Sequence, residues 1–195
     1  FALQCLAPLR AALAQRGLPL LVRVGCAVQV LEQLHHELQF QRLLSHEETG
    51  PLWSYARDRQ VAQWCQGRNV HWQEFTQTGV IRRLRSRSGW AARWQARMDA
   101  PLHTLDAAFV PATTLEQPDL PTLQSLGLAP HGKTLQAAGE SAARHTLKSF
   151  LQLRGYDYRK ALSSPLSAED GCSRLSPHLT FGTVSMRTVH QRSEE

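Results

Sequence analysis

The sequence predicts an α/β fold built on a parallel sheet, followed by an all-helical region. Three observations predict it: helical and strand patterns alternate over residues 1–76, prolines gather in residues 100–134, and only helical patterns return after Gly132. Alternation of helices with strands implies a parallel sheet with helices packed on it. The 195 residues, 42% of them hydrophobic, suffice for one domain or for parts of two.

The first part of the chain alternates helix and strand from its first residue. Apolar residues at helical spacing predict a helix over residues 1–16, and the short apolar run LPLLVRV predicts a buried strand over 18–24. The pattern continues with a helix over 27–40, a strand over 41–45, a helix over 54–67 and a strand over 70–76. Because such folds ordinarily place a strand before the first helix, we expect at least one strand upstream, and therefore a piece of a longer protein.

The second part is basic at first and then helical. Trp90, Trp94 and Met98 recur at helical spacing, which predicts a helix with an aromatic stripe, and we interpret both tryptophans as core residues. The arginines of RRLRSR, residues 82–87, either form a solvated face or contact nucleic acid. A long irregular connection over 100–134, a helix over 137–155, a turn-rich stretch and one or two short helices complete the chain.

Composition excludes several classes of protein. The formal charge of +6 and the predominance of arginine over lysine suit a polyanionic partner. The four cysteines show no zinc-ligand or disulfide spacing, so we expect no metal site and a reducing, cytoplasmic setting. No apolar run reaches the roughly 20 residues of a membrane span. The sequence also lacks GxGxxG, P-loop and GxSxG motifs, which argues against a hydrolase.

The stretch GCSRLSPHLTFG, residues 171–182, concentrates small polar residues before a proline that suits the first turn of a helix. Ser176 is then either an ordinary helix N-cap or, with Ser173, part of an anion site at a helix N-terminus. A second candidate is the end of a predicted strand, where His46 and Glu47 either line a ligand crevice or lie in a solvated loop.

Several motifs together resemble the photolyase/cryptochrome family, and a bacterial deoxyribodipyrimidine photolyase in particular. The helix GESAA....L..FL, a following tyrosine and SRLSPHLTFGTVSMR are similar to the start of that family's flavin domain, and SHEETG..WSYARD is similar to its N-terminal domain. The resemblance implies a partial parallel, Rossmann-like α/β antenna domain over 1–80. It further implies a basic helix and Pro-rich linker over 81–135, and the beginning of an all-helical FAD-binding domain over 136–195.

The same resemblance implies a cofactor site. Residues Cys172, Ser173, Arg174, Leu175 and Ser176 match the family's segment that holds the FAD phosphates, with Cys172 in place of the usual threonine. Tyr158 matches a tyrosine that also contacts FAD, and Tyr156 remains an alternative. A folate or deazaflavin antenna chromophore would lie past the strand ends, near Glu74 and Phe75.

The function implied is that of a fragment of a blue-light-dependent DNA photolyase, which uses FAD to repair cyclobutane pyrimidine dimers in damaged DNA. The resemblance identifies no catalytic residue, and we expect the fragment alone to be inactive and to bind FAD weakly. Two alternatives remain open: a cryptochrome-like photoreceptor without repair activity, and a non-catalytic α/β interaction module.

Overall fold

A computed structural model describes residues 1–105, 117–130, 132 and 134–195. The chain forms two compact units: residues 23–94, here called the α/β unit, and residues 1–22 with 95–195, here called the helical unit. Residues 106–116, 131 and 133, which belong to the predicted irregular connection, lie outside the described residues.

The elements follow one another in the order α1 (Ala2–Ala14), α2 (Ala27–Leu38), β1 (Arg42–His46), α3 (Leu52–Gly67), β2 (His71–Phe75), α4 (Trp90–Asp99), α5 (Glu140–Gln152), a 3₁₀ turn (Arg154–Asp157), α6 (Tyr158–Ala161), α7 (Pro165–Gly171), α8 (Ser176–Thr180) and α9 (Met186–Glu194). The predicted helices over 1–16, 27–40, 54–67 and 137–155 and the predicted strands over 41–45 and 70–76 are confirmed to within a few residues at each end.

The α/β unit is built on the parallel pair β1 and β2, in which Arg42 lies opposite His71 and His46 lies opposite Phe75. Burial alternates along both strands, as expected when one face of a sheet is covered. Helices α2 and α3 supply the cover through a core centred on Val61, Cys65 and Val70, with partly buried residues of both strands packed against it. The α/β fold class is thereby confirmed.

The predicted strand over residues 18–24 is wrong. These residues have no regular secondary structure, and β1 and β2 are the only paired strands among the described residues. A strand needs a hydrogen-bonded neighbour, and Pro19 has no N–H to donate to a ladder. Apolar composition alone therefore overestimated the sheet.

The helical unit is held together by a core of Ala143, Leu147, Leu175 and Val184. Helix α5 contributes the first two, while the loop before α8 and the loop before α9 contribute the others. Deep burial of Leu175, at 4% exposed, fixes the loop that carries the small polar residues against α5.

The predicted turn-rich stretch after α5 proved to be short helices instead. Ser164 caps α7 by accepting a hydrogen bond from the N–H of Leu166 at 3.3 Å, and Pro165 occupies the first turn. Gly171, at the end of α7, approaches Ala161 so closely that a Cβ at this position would overlap the alanine Cβ. The small residues of this stretch cap helices and allow close packing. The prediction from turn composition therefore missed the short helices.

Candidate functional site

A cavity of about 440 Å³ lies within the helical unit and is open to solvent at one side. This volume falls within the usual range for small-molecule sites. Its wall is mostly apolar, with a few hydroxyl groups among the aliphatic and aromatic side chains. The lining residues are Leu147, Phe150, Leu151, Tyr158, Ser173, Leu175, Ser176, Leu179, Val189 and Ser193.

The structure brings four of the sequence-predicted site residues to this wall: Tyr158, Ser173, Leu175 and Ser176. Tyr158 is 38% exposed, and its ring packs edge-on against Phe150 at 5.7 Å between centroids. The alternative, Tyr156, is 85% exposed and does not line the cavity.

The other two predicted site residues lie beside the cavity rather than on its wall. Cys172 is half-buried, and its backbone carbonyl accepts a hydrogen bond from Arg154. Arg174 is exposed, adopts a left-handed backbone with φ +60°, and places its guanidinium 3.6 Å from the carboxylate of Glu169. Exposed pairs of this kind stabilise a fold little, so the Arg174 side chain is available to a stronger anion.

The interpretation of Ser176 as an N-cap is wrong. Helix α8 begins at Ser176 itself, and the capping position is held by Leu175 without a side-chain hydrogen bond. Among the described residues, the hydroxyl groups of Ser173 and Ser176 have no hydrogen-bond partner. Both are therefore free to bind a ligand in the cavity, although a five-residue helix contributes little dipole to an anion.

Arg154 shapes the wall, and sequence reasoning missed it. Its guanidinium donates to the carbonyls of Cys172 and Ser173, and thereby ties the serine-bearing loop to the end of α5. The same side chain donates to Ser149 Oγ at 2.8 Å and to the Thr146 carbonyl at 3.0 Å. The signal available in the sequence was an isolated arginine just beyond a helix, which has too many possible partners to be informative.

His178, in α8, is fully buried. Its Nδ1 lies 2.8 Å from Thr183 Oγ1, while the Thr183 hydroxyl can itself donate to the His178 carbonyl at 3.4 Å. This arrangement favours the tautomer with the proton on Nδ1, and Nε2 is buried without a partner among the described residues. Burial lowers the pKa of His178, because the charged imidazolium would lose its hydration.

A cluster of charged residues occupies the carboxyl ends of β1 and β2 in the α/β unit. Arg82 donates to both carboxylate oxygens of Glu74, at 2.9 and 3.1 Å, and to Asp58 Oδ2 at 3.1 Å. Although burial acts to lower the pKa of Arg82, the carboxylates of Glu74 and Asp58 hold it above its ordinary value. Glu74 is thus engaged in an ion pair.

The other residues that sequence reasoning placed at these strand ends differ in exposure. Phe75 is 45% exposed, and His46 is exposed at the end of β1. Glu47 lies in the loop after β1, where its side chain is half-buried and its Oε2 is buried without a hydrogen-bond partner among the described residues, so this carboxylate is only partly solvated.

The described residues contain no group of three or more His, Cys, Asp or Glu side chains placed to hold a metal ion. In the same part of the chain, no helix has the length and apolar character needed to cross a membrane.

Comparison with known proteins decides the family. The family model described as DNA photolyase matches residues 1–103, which is more than half of the chain. The chain belongs to the DNA photolyase family. The resemblance drawn from the motifs is confirmed, and the α/β unit corresponds to the N-terminal α/β domain of photolyases.

Two relatives align with nearly the whole of this photolyase-family chain. An uncharacterised 31.6 kDa protein of Synechococcus sp. (strain PCC 6716) is 30% identical over 208 residues, covering all of this chain and 72% of that protein. A deoxyribodipyrimidine photo-lyase of Halobacterium salinarum is 31% identical over 205 residues, covering 98% of this chain and 42% of that protein.

Among solved structures, a bacterial class III photolyase from Agrobacterium tumefaciens superposes with a TM-score of 0.73 over 97% of this chain and 42% of its own, at 21% sequence identity. That likeness shows the photolyase fold. The chain spans less than half the length of both named photolyases.

Proposed function

We propose that the full-length protein is a blue-light-dependent DNA photolyase that binds FAD and repairs cyclobutane pyrimidine dimers in damaged DNA. In this proposal the chain comprises an α/β domain over 1–80, a linker over 81–135 and the beginning of the FAD-binding domain over 136–195. The observation that carries it is the cavity whose wall holds Tyr158, Ser173 and Ser176 together.

The chemistry of the cavity fits part of a flavin dinucleotide. Two hydroxyl groups without partners among the described residues, Ser173 and Ser176, offer donors to a diphosphate, and Arg174 lies next to them in the chain. The apolar residues Leu147, Phe150 and Leu179 offer contact surface to uncharged parts of the cofactor. Leu175 holds the loop by packing into the core against α5, and the Cys172 carbonyl does so by accepting a hydrogen bond from Arg154. FAD bound there would supply the light-driven electron-transfer chemistry of repair.

We propose the carboxyl ends of β1 and β2 as the position of an antenna chromophore of the folate or deazaflavin class. Phe75 is sufficiently exposed to stack on a ring, at 45%. Glu74 contributes indirectly, because its ion pair with Arg82 keeps the residues past the strand ends in place.

The FAD site is tested by replacing Ser173 and Ser176 together with alanine in the full-length protein. Hydrogen bonds to a charged group contribute about 1.5–3 kcal/mol each, so loss of both should weaken FAD binding by roughly 100-fold or more. The measurement is flavin absorbance retained after gel filtration, followed by titration with added FAD. Ser193→Ala is the matched control, because its hydroxyl lies on the same wall but already donates to the His190 carbonyl at 2.7 Å.

Unchanged FAD retention in the double variant would refute the cofactor site. Repair activity is tested separately, by illuminating the FAD-loaded protein with blue light in the presence of DNA carrying a thymine dimer. Restoration of the two thymines supports a photolyase. Flavin photoreduction without restoration supports a cryptochrome-like photoreceptor, and a full-length protein that takes up no flavin supports an α/β interaction module.

A further inference from the structure

A run of positive charge lies in the α/β unit, distant in sequence from every residue that lines the cavity of the helical unit. Between Glu74 and the end of the unit at Trp94 the chain contains no carboxylate, whereas arginines occupy positions 82, 83, 85, 87 and 93. Residues 79–93 are here called the arginine segment. Charge of one sign in so short a stretch repels itself unless a partner neutralises it.

The arginine segment is anchored at both ends. Near its start, Arg82 points into the charged cluster, where it binds Glu74 and Asp58 and lies 5.4 Å from the ring of Tyr55. Near its end, the indole N–H of Trp90 donates to the Gly79 carbonyl at 2.8 Å. These contacts hold the intervening residues as a closed loop on the surface of the unit.

The remaining arginines of the loop face solvent. Arg83, Arg85 and Arg87 are exposed, and among the described residues their guanidinium groups have neither an ion-pair nor a hydrogen-bond partner. Arg93 is also exposed, and its guanidinium donates to the Ser88 carbonyl at 3.3 Å. The loop therefore separates one arginine that stabilises the fold from several that are displayed.

We propose that the arginine segment binds the phosphodiester backbone of duplex DNA. A planar guanidinium binds phosphate oxygens with two donors, and contacts to the backbone add affinity without sequence preference. Such a surface would hold undamaged duplex flanking a lesion, so the biological role rests on the proposed function, although binding itself does not require FAD. A membrane surface is a poorer partner, because Arg83, Arg85 and Arg87 lie on a loop and not on an amphipathic helix.

The test compares two double variants of the full-length protein with equal loss of charge. Arg85→Ala/Arg87→Ala removes two displayed arginines of the loop. Arg42→Ala/Arg59→Ala is the control, because both residues are exposed in the same unit and have no ion-pair partner among the described residues. Affinity for an undamaged, fluorescein-labelled duplex of about 20 base pairs is measured by anisotropy from roughly 50 to 200 mM KCl.

We expect the loop variant to bind the duplex about tenfold or more weakly at the lowest salt. The slope of log affinity against log salt should become shallower by roughly 1.8, since each phosphate that the protein no longer neutralises reduces the slope by about 0.9. The control variant should keep the wild-type slope, and its affinity should fall by less than about twofold. Equal effects in both variants, an unchanged slope in the loop variant, or no duplex binding by the wild type would each overturn the proposal.

Two further measurements separate this proposal from others. FAD retention is measured on the same samples. A wild type that binds duplex DNA but no flavin would refute the proposed FAD-dependent repair and would still support DNA binding by the arginine segment. Binding to phosphatidylserine vesicles is measured in parallel. Loss of vesicle binding in the loop variant with unchanged duplex binding would assign the arginine segment to a membrane and overturn the proposal.

Discussion

Replacement of Arg154 by methionine should detach the serine-bearing loop from α5 while leaving the helix itself intact. Methionine has a similar length and good helix propensity but no donors. The Arg154 guanidinium donates to the loop through the carbonyls of Asp170, Cys172 and Ser173, and it also donates to two groups of α5. The substitution therefore removes a cross-link between two segments rather than a bond within one.

The expected magnitude follows from these hydrogen bonds. Hydrogen bonds from a charged donor contribute about 1.5–3 kcal/mol each. The bonds to Asp170 at 3.4 Å and Ser173 at 3.3 Å are long, and the side chain is only part-buried, so water can replace some of the donors. Because water replaces some of these hydrogen bonds, the loop should lose about 3 kcal/mol of local stability, which is the upper end of the usual effect of a single substitution.

The assay is native-state hydrogen exchange at two amides whose partners belong to this loop. The Cys172 N–H donates to the Ala168 carbonyl and the Leu179 N–H to the Leu175 carbonyl, both at 2.9 Å. A loss of about 3 kcal/mol should accelerate their exchange roughly 100-fold. Arg159→Met is the control, because Arg159 is exposed and its side chain has no partner among the described residues. This account of the loop would be refuted if exchange accelerated by less than about threefold in Arg154→Met, or if Arg159→Met accelerated it as much as Arg154→Met does.

Two other predictions concern burial and close packing. The pKa of His178 in the folded protein lies below its ordinary value of 6.5. At a pH between the folded and unfolded pKa values, the unfolded chain therefore binds more protons than the folded chain. The free energy of unfolding should fall as the pH drops below about 6.5, by at most about 1.4 kcal/mol per pH unit. Urea unfolding at several pH values should show this loss in the wild type and a smaller one in His178→Gln. Gly79→Ala should destabilise the α/β unit by about 1–3 kcal/mol, because its Cβ would overlap Cδ1 of the Trp94 ring. Gly67→Ala, with open space around the Cβ, should be neutral or stabilising, and tryptophan fluorescence during unfolding distinguishes the two.

Periodicity predicted the elements in which local and tertiary preferences agree. Helices α2 and α3 each present an apolar stripe to the sheet, and the strands beginning at Arg42 and His71 follow turns with left-handed residues at Gln39 and Asn69. The strand predicted over residues 18–24 was wrong because strand formation depends on a neighbouring strand, and a local sequence pattern does not show whether that neighbour is present. The short helices after α5 were missed for a local reason: Ser, Pro and Gly are common at helix ends as well as in turns, so composition does not distinguish the two.

The tryptophans show a related limit of sequence reasoning. Helical spacing grouped Trp90, Trp94 and Met98 as one buried stripe, yet Met98 is 1% exposed and Trp90 is 37% exposed. The Trp90 ring packs on Trp94 at 6.4 Å and bonds a backbone carbonyl, so it closes a loop instead of filling a core. Spacing identifies which residues share a helix face but not whether another element covers that face.

The arginines show why composition alone does not assign a role to an individual side chain. From composition alone every arginine is equally suited to phosphate, and the net charge of +6 favours that interpretation for all of them. The structure divides them by partner. Arg82 and Arg154 are occupied by carboxylates and carbonyls, and they build the strand-end cluster and the cavity wall. Arg85 and Arg87 have no such partner among the described residues. An arginine whose guanidinium is bonded within the fold shapes a site, whereas an exposed arginine without such bonds can bind a polyanion. Contacts between residues distant in sequence determine which of the two applies, and a local motif does not contain those contacts.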